Sequence, residues 1–138
     1  EGVLSILILV LLKSVGVNTF GLLVNIVRNI GTVLAIYGIF IALSCGLVVI
    51  MFSENHDGFT RWLIKNNAEA LYRNAAIYSL GSFVFGMLLL CTIKIFKCQH
   101  IMSDLALTVF ILNIIQAFTM IILVNNYLSV KRKWQDLH

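Results

Sequence analysis

The feature that most constrains this chain is an uncharged run from Gly31 to Phe52. A helix needs roughly 20 residues to cross the hydrocarbon core of a bilayer, so this run predicts a transmembrane helix. Its small residues recur every three or four positions and therefore form one stripe along the helix. They are Gly31, Ala35, Gly38, Ala42 and Gly46. Small residues let two membrane helices approach closely, and we expect this helix to pack at the centre of a bundle.

The composition of the whole chain is that of a membrane protein. Of its 138 residues, 60% are hydrophobic and 12% are charged, and the mean hydropathy is +0.98. Soluble domains are roughly half apolar and about a quarter charged. Proline is absent, which suits uninterrupted helices. Cys45, Cys91 and Cys98 show neither a disulfide framework nor a metal-binding spacing. We therefore expect one all-α, polytopic membrane domain over residues 1–138, without a cofactor.

The first segment, residues 2–24, is predicted to be the first of four transmembrane helices. Its aliphatic side chains outweigh the insertion cost of Lys13, which is about 2.5–3.5 kcal/mol at the centre of a helix. Polar residues fall on one face of a helix over 13–29, and we expect that face to turn inward. The alternative is a short dip into the membrane followed by a helix that lies in the interface.

The polar face of this first segment is the most distinctive candidate site, and it consists of Lys13, Asn18, Asn25 and Arg28. One interpretation is an aqueous path, or a site for an anionic headgroup or substrate. The favoured interpretation is that Lys13 snorkels or pairs with a partner subunit, while the asparagines bond to neighbouring helices. No Asp or Glu lies within a predicted span. A buried Lys13 would therefore need a counter-ion from another chain, a lipid or water.

The other three spans are predicted over 32–52, 75–96 and 105–130, with a surface helix over 59–74 between the second and third spans. Ser82 and Gly86 form a small-residue pair for helix packing. The last span carries Asn113, Gln116 and Thr119 on neighbouring parts of one face, in mid-membrane. An ion or substrate site is one interpretation of these three. Hydrogen bonding between helices, at roughly 0.6 kcal/mol per bond, is favoured.

Basic residues mark the membrane boundaries. Lys131, Arg132 and Lys133 follow the last span, as a topology anchor or a contact for anionic lipid headgroups. With four spans, the positive-inside rule places both termini in the cytoplasm, or in the matrix of a mitochondrion. Nucleic acid is not an expected partner, because the basic residues are few and mostly flank the membrane.

The sequence contains no nucleophile elbow, phosphate-binding loop, paired carboxylates or His/Cys constellation, so we do not expect an enzyme. The favoured hypothesis is a non-catalytic integral membrane subunit that packs against, stabilises or modulates partner chains in a larger complex. The alternative is a homo-oligomeric pore or channel with a cationic path along the first helix. A small membrane enzyme whose site is completed by a partner is a third hypothesis.

Overall fold

The computed structural model describes residues 1–52, 58–97 and 99–136, without the side chains of residues 51, 52, 60 and 99–101. These ranges contain the helices α1 (Gly2–Ser14), α2 (Thr19–Arg28), α3 (Ile30–Phe52), α4 (Gly58–Lys65), α5 (Glu69–Phe96) and α6 (Gln99–Asp136). Of these, α3, α5 and α6 are long and apolar enough to cross a membrane. The prediction of an all-α integral membrane protein is therefore confirmed. A fourth span would require α1 and α2 to cross together as one bent unit, so the four-span count remains a prediction.

The core of the fold is a three-helix bundle of α3, α5 and α6. Along α5, buried residues recur at alternating intervals of three and four, as in Tyr72, Ala76, Ser79, Phe83 and Gly86. The buried residues of α6 follow the same alternation, with Ala106, Val109, Asn113, Gln116 and Met120. This alternation is the seam along which two helices pack side by side at a small crossing angle.

The helix at the centre of the molecule is α6, which contacts each of the other five described helices. We expected the helix over Gly31 to Phe52 to hold this place, and that expectation is wrong. That helix, α3, packs mainly against α5. It buries the face that contains Tyr37, Ser44 and Leu47 and turns the rest of its surface away from the bundle.

Charged and amide side chains bracket the most apolar part of α6. Asp104 pairs with Lys13 near one end of α6, and Asn125 and Asn126 are exposed near the other. The interval from Asp104 to Asn125 corresponds to about 32 Å, close to the core thickness of about 30 Å. We call these two ends of the bundle the Asp104 side and the α4 side. Because α6 has 38 residues, its last turns extend past this interval on the α4 side.

The first segment is not the continuous span that we predicted over 2–24. It divides into α1 and α2, which meet at an angle of 115°. Gly16 has φ +77°, a left-handed conformation that ends helices and costs glycine little. Asn18 then caps α2, because its side chain accepts a hydrogen bond from the Gly21 N–H at 2.9 Å. The prediction of a single amphipathic helix over 13–29 is therefore wrong. With 13 residues, or about 20 Å, α1 is too short to cross the core alone.

The connection between α3 and α5 also differs from the predicted surface helix over 59–74. Its helix α4 ends at Lys65, Asn67 adopts φ 54°, and α5 begins at Glu69. Residues 69–74 therefore belong to the next long helix. The Phe59 ring of α4 lies 5.5 Å from the ring of Tyr127 and 5.9 Å from that of Trp134, both on α6. The helix is thus anchored on the projecting end of α6, and its position in the membrane interface stays a prediction.

Replacing Phe59 with Ala is expected to release α4 from the bundle. Phe59 is fully buried, and removing a buried aromatic ring costs about 3–5 kcal/mol. In detergent micelles, trypsin should then cleave after Arg61 and Lys65 at least about ten times faster, because local opening governs cleavage. Ile64→Ala shortens an exposed side chain of the same helix and is the control. Equal cleavage rates in the two variants would contradict the packing of Phe59.

Candidate functional site

Hydrogen bonds between three side chains join all three helices of the bundle. Asn113 of α6 donates from Nδ2 to the hydroxyl oxygen of Tyr37 on α3, at 3.0 Å. Ser82 of α5 donates its hydroxyl hydrogen to Asn113 Oδ1, at 2.7 Å. Hydrocarbon offers these groups no other partner, so the three helices are held at one relative depth.

A second polar pair lies about one turn further along α6. Gln116 Nε2 donates to Ser79 Oγ, and Ser79 donates to the carbonyl of Ala75 at 2.8 Å. Gln116 and Ser79 are both buried. Gln116 Oε1 is also buried and accepts no hydrogen bond from the described residues. We call these two hydrogen-bonded groups together the polar layer, namely Tyr37, Ser79, Ser82, Asn113 and Gln116.

The close approach of α5 and α6 depends on Gly86. A Cβ atom at this position would lie 1.9 Å from Asn113 Nδ2 and 3.1 Å from the Tyr37 hydroxyl oxygen. Any side chain would therefore displace the Asn113 amide from the position in which it bonds to Tyr37. Gly86 and Ser82, the predicted small-residue pair, thus both lie where α5 meets the polar layer.

The small-residue stripe of α3 faces away from the polar layer. All five of its members are exposed: Gly31, Ala35, Gly38, Ala42 and Gly46. No described atom outside its own helix and chain neighbours lies within 4 Å of a Cβ built on any of the three glycines. The described helices of this chain do not use the stripe, and helix packing there would have to involve another chain.

Lys13 has an ionic partner in its own chain, contrary to our expectation. Its Nζ lies 2.6 Å from Asp104 Oδ2 at the start of α6, and the two side chains are 47% and 57% exposed. An ion pair this exposed contributes about 0–1 kcal/mol when it is solvated. The partners are 91 positions apart, so no local pattern in the sequence indicates the pair.

The polar face expected to turn inward lies on the outside of the chain. Asn18, Asn25 and Arg28 are exposed, because Leu23 and Val27 occupy the buried face of α2. With Lys13 also exposed, these residues enclose no common path within a single chain.

The remaining predicted residues lie apart from the polar layer. The hydroxyl oxygen of Thr119 lies 3.1 Å from a Glu1 carboxylate oxygen and 3.1 Å from the Ile115 carbonyl oxygen. It can donate its hydrogen to either of them. The basic residues Lys131, Arg132 and Lys133 lie in the last turns of α6 on the α4 side, where Arg132 and Lys133 are exposed.

Sequence reasoning missed Tyr37, whose hydroxyl joins α3 to the polar layer. The available signal was weak, since a tyrosine in an uncharged span is a polar group that needs a partner in hydrocarbon. Nothing in the sequence identified Asn113 as that partner, 76 positions away.

Gly86→Ala is expected to destabilise the bundle by about 1–3 kcal/mol, because the added methyl group overpacks the contact with Asn113. The matched control is Gly81→Ala, on the same helix, where a Cβ atom meets nothing within 4 Å. Alanine favours helices over glycine by about 1 kcal/mol, so the control should be neutral or stabilising. Thermal unfolding in one detergent, followed by circular dichroism, compares the two. A destabilised control with an unaffected Gly86→Ala variant would contradict the close packing.

Among the described residues, no three His, Cys, Asp or Glu side chains come together as metal ligands. The polar layer consists of neutral side chains that can donate and accept hydrogen bonds but carry no fixed charge. No known protein family, curated protein or solved structure matches this chain.

Proposed function

We propose that this chain is a non-catalytic integral membrane subunit that packs against a partner helix through the small-residue stripe of α3. The observation that carries the proposal is the outward orientation of the stripe. In lipid, helices associate through van der Waals contact and close backbone approach, which small residues permit. The stripe offers such a surface at Gly38, Ala42 and Gly46, which are all exposed, and a Cβ built on either glycine would meet nothing within 4 Å.

The ion pair changes the support for this proposal. An unpaired Lys13 in the membrane would require a counter-ion, which a partner could bring. Asp104 supplies that charge within the chain, so Lys13 requires no counter-ion from a partner, and the exposed stripe of α3 is the feature that favours one.

We further propose that the α4 side of the bundle faces the cytoplasm or the matrix. That side carries Arg61, Lys65 and Arg73 together with Lys131, Arg132 and Lys133, whereas the Asp104 side carries Lys13, Arg28, Lys94 and Lys97. The positive-inside rule favours the more basic side as the internal one. The exposed basic residues at the end of α6 would then lie near anionic headgroups of the inner leaflet.

A homo-oligomeric pore is the second candidate function. The observation in its favour is that α2 exposes Asn18, Asn25 and Arg28, which a ring of copies would bring around an axis. Because Asp104 offsets Lys13, Arg28 would carry the anion preference of such a lumen. Our leading proposal predicts no conductance from the chain alone in planar bilayers. Anion-selective currents that Arg28→Glu makes cation-selective would establish the pore instead.

The first test is the native mass of the protein, extracted gently from its own membrane, with every co-purifying chain identified. A defined assembly with different membrane chains is expected. A stable monomer that keeps its full helicity without any other chain would count against a subunit role.

Gly38→Leu is expected to weaken this assembly at least about tenfold, because a leucine side chain holds the two backbones apart. Gly81→Leu adds the same side chain to another exposed glycine in a spanning helix and serves as the control. Both variants should keep the helicity of the parent chain. The measurement is the fraction of tagged chain recovered in the assembly at equal expression. Equal recovery of the two variants would exclude the stripe as the contact surface.

A further inference from the structure

Two cations of α4 lie on the side of that helix that is turned away from the bundle. Phe59 and Leu63 are 0% and 1% exposed and pack α4 against the rest of the chain. Because each residue turns a helix by about 100°, Arg61 and Lys65 lie about 200° around α4 from that buried pair, and both are exposed. Neither forms an ion pair with a described residue. Like charges four positions apart repel each other on a helix, so an anion beside this face would stabilise it.

Large apolar side chains lie on both sides of these two cations. The order around α4 is Trp62, Lys65, Arg61 and Ile64. Trp62 and Ile64 are 39% and 45% exposed. The Trp62 ring stacks on the ring of Phe59, with centroids 6.0 Å apart, and this contact fixes its place on the helix. Exposed tryptophan and aliphatic side chains next to Lys and Arg are typical of a helix that lies in the headgroup layer of a membrane.

The end of α6 adds two further cations to the same end of the bundle. Arg132 and Lys133 are exposed, and neither forms an ion pair with a described residue. The next residue of α6, Trp134, has its ring 5.9 Å from the ring of Phe59. A Cβ atom built on Gly58 would lie 2.9 Å from the tip of the Trp134 ring. The start of α4 is therefore packed against the turn of α6 that carries these cations.

Few acids oppose the four exposed cations. Among the described residues of the α4 side, Glu69 pairs with Arg73 at 2.9 Å, and Asp136 is exposed. Glu54 and Asp57 precede α4 in the sequence and lie outside the described residues. With all four acids counted against the six basic residues of this side, the net charge is still positive. The surface thus combines a positive charge with exposed apolar side chains, and an anionic lipid complements both.

We propose that α4 and the end of α6 together bind anionic phospholipids of the surrounding leaflet. The lipid phosphates contact the four exposed cations, while Trp62 and Ile64 enter the boundary between headgroups and acyl chains. A free phosphate would meet only the cations, whereas a phospholipid also covers the apolar side chains between which they lie. The surface is separate from the small-residue stripe of α3, so the proposal is independent of the subunit role and of the orientation of the chain.

The intrinsic fluorescence of the chain reports on this surface, because its two tryptophans are Trp62 and Trp134 and both contact Phe59. The test uses the full chain in phosphatidylcholine nanodiscs that contain a fraction of lipid brominated near the start of one acyl chain, since bromine quenches tryptophan at short range. Brominated phosphatidylglycerol is compared with brominated phosphatidylcholine at equal content. The anionic lipid should be favoured at least about threefold at this surface. The preference should disappear in about 1 M salt, where the Debye length is about 3 Å.

Two double variants test the two helices separately. Arg61→Gln with Lys65→Gln, and Arg132→Gln with Lys133→Gln, should each lower the preference for the anionic lipid at least about twofold. Glutamine has a helix propensity close to that of Lys and Arg, and all four side chains are exposed, so both variants should keep the parent helicity in circular dichroism.

The matched control is Lys94→Gln with Lys97→Gln, which removes two exposed cations from the Asp104 side and should leave the preference unchanged. Equal quenching of the parent chain by the two brominated lipids would overturn the proposal. An unchanged preference in the α4 double variant would also overturn it, and would restrict the lipid contact to the end of α6. A loss in the control as large as in the α4 variant would overturn it as well, because the preference would then follow the charge of the whole chain.

Discussion

The hydrogen bond from Asn113 to Tyr37 is the interaction on which the arrangement of the bundle depends. Apolar side chains alone would let three helices slide past one another, because lipid competes for every apolar contact. A single bond of this kind contributes only about 0.6 kcal/mol on average. The bond therefore fixes the relative position of the helices more than it adds stability. If the amide and the hydroxyl separate in hydrocarbon, neither finds another hydrogen-bond partner. The bond requires glycine at position 86, because any Cβ atom there would occupy the space of the Asn113 amide.

Small residues have two different roles in this chain, and the sequence does not distinguish them. Gly86 faces a neighbouring helix whose polar side chain fills the space that the glycine leaves. Gly38 faces no described helix, although both glycines lie in apolar helices at comparable depth. Periodicity predicts that residues share a face, but it does not say what that face meets. On the opposite face of α3, Tyr37 accepts a hydrogen bond from Asn113. Because this face packs against the bundle, the stripe faces outward.

The helical character and the spanning segments were predictable because apolar length is a local property of the sequence. The errors arose where the outcome depends on contacts between distant residues or on one backbone conformation. The left-handed conformation of Gly16 divides the first segment, although glycine also occurs inside α3 and α5 without ending them. The pair of Lys13 with Asp104 requires α1 to lie along α6, which no local pattern indicates. For the polar layer, the sequence placed Asn113 and Gln116 in mid-membrane, but it gave only a weak signal for Tyr37 and did not identify Asn113 as its partner.

The ion pair at the Asp104 side also bears on which surface of the bundle remains for a partner. By joining α1 to α6, it adds a fourth helix to the contacts that α6 makes with α2, α3 and α5. With α4 packed on its projecting end, α6 contacts all five other described helices, although bulky side chains such as Phe118 and Ile122 remain exposed on its outer face. Among the described spanning helices, α3 keeps a face of small residues on which nothing is packed. A partner that requires close backbone approach therefore meets the fewest bulky side chains at α3, because the same contacts that order the core leave this face open.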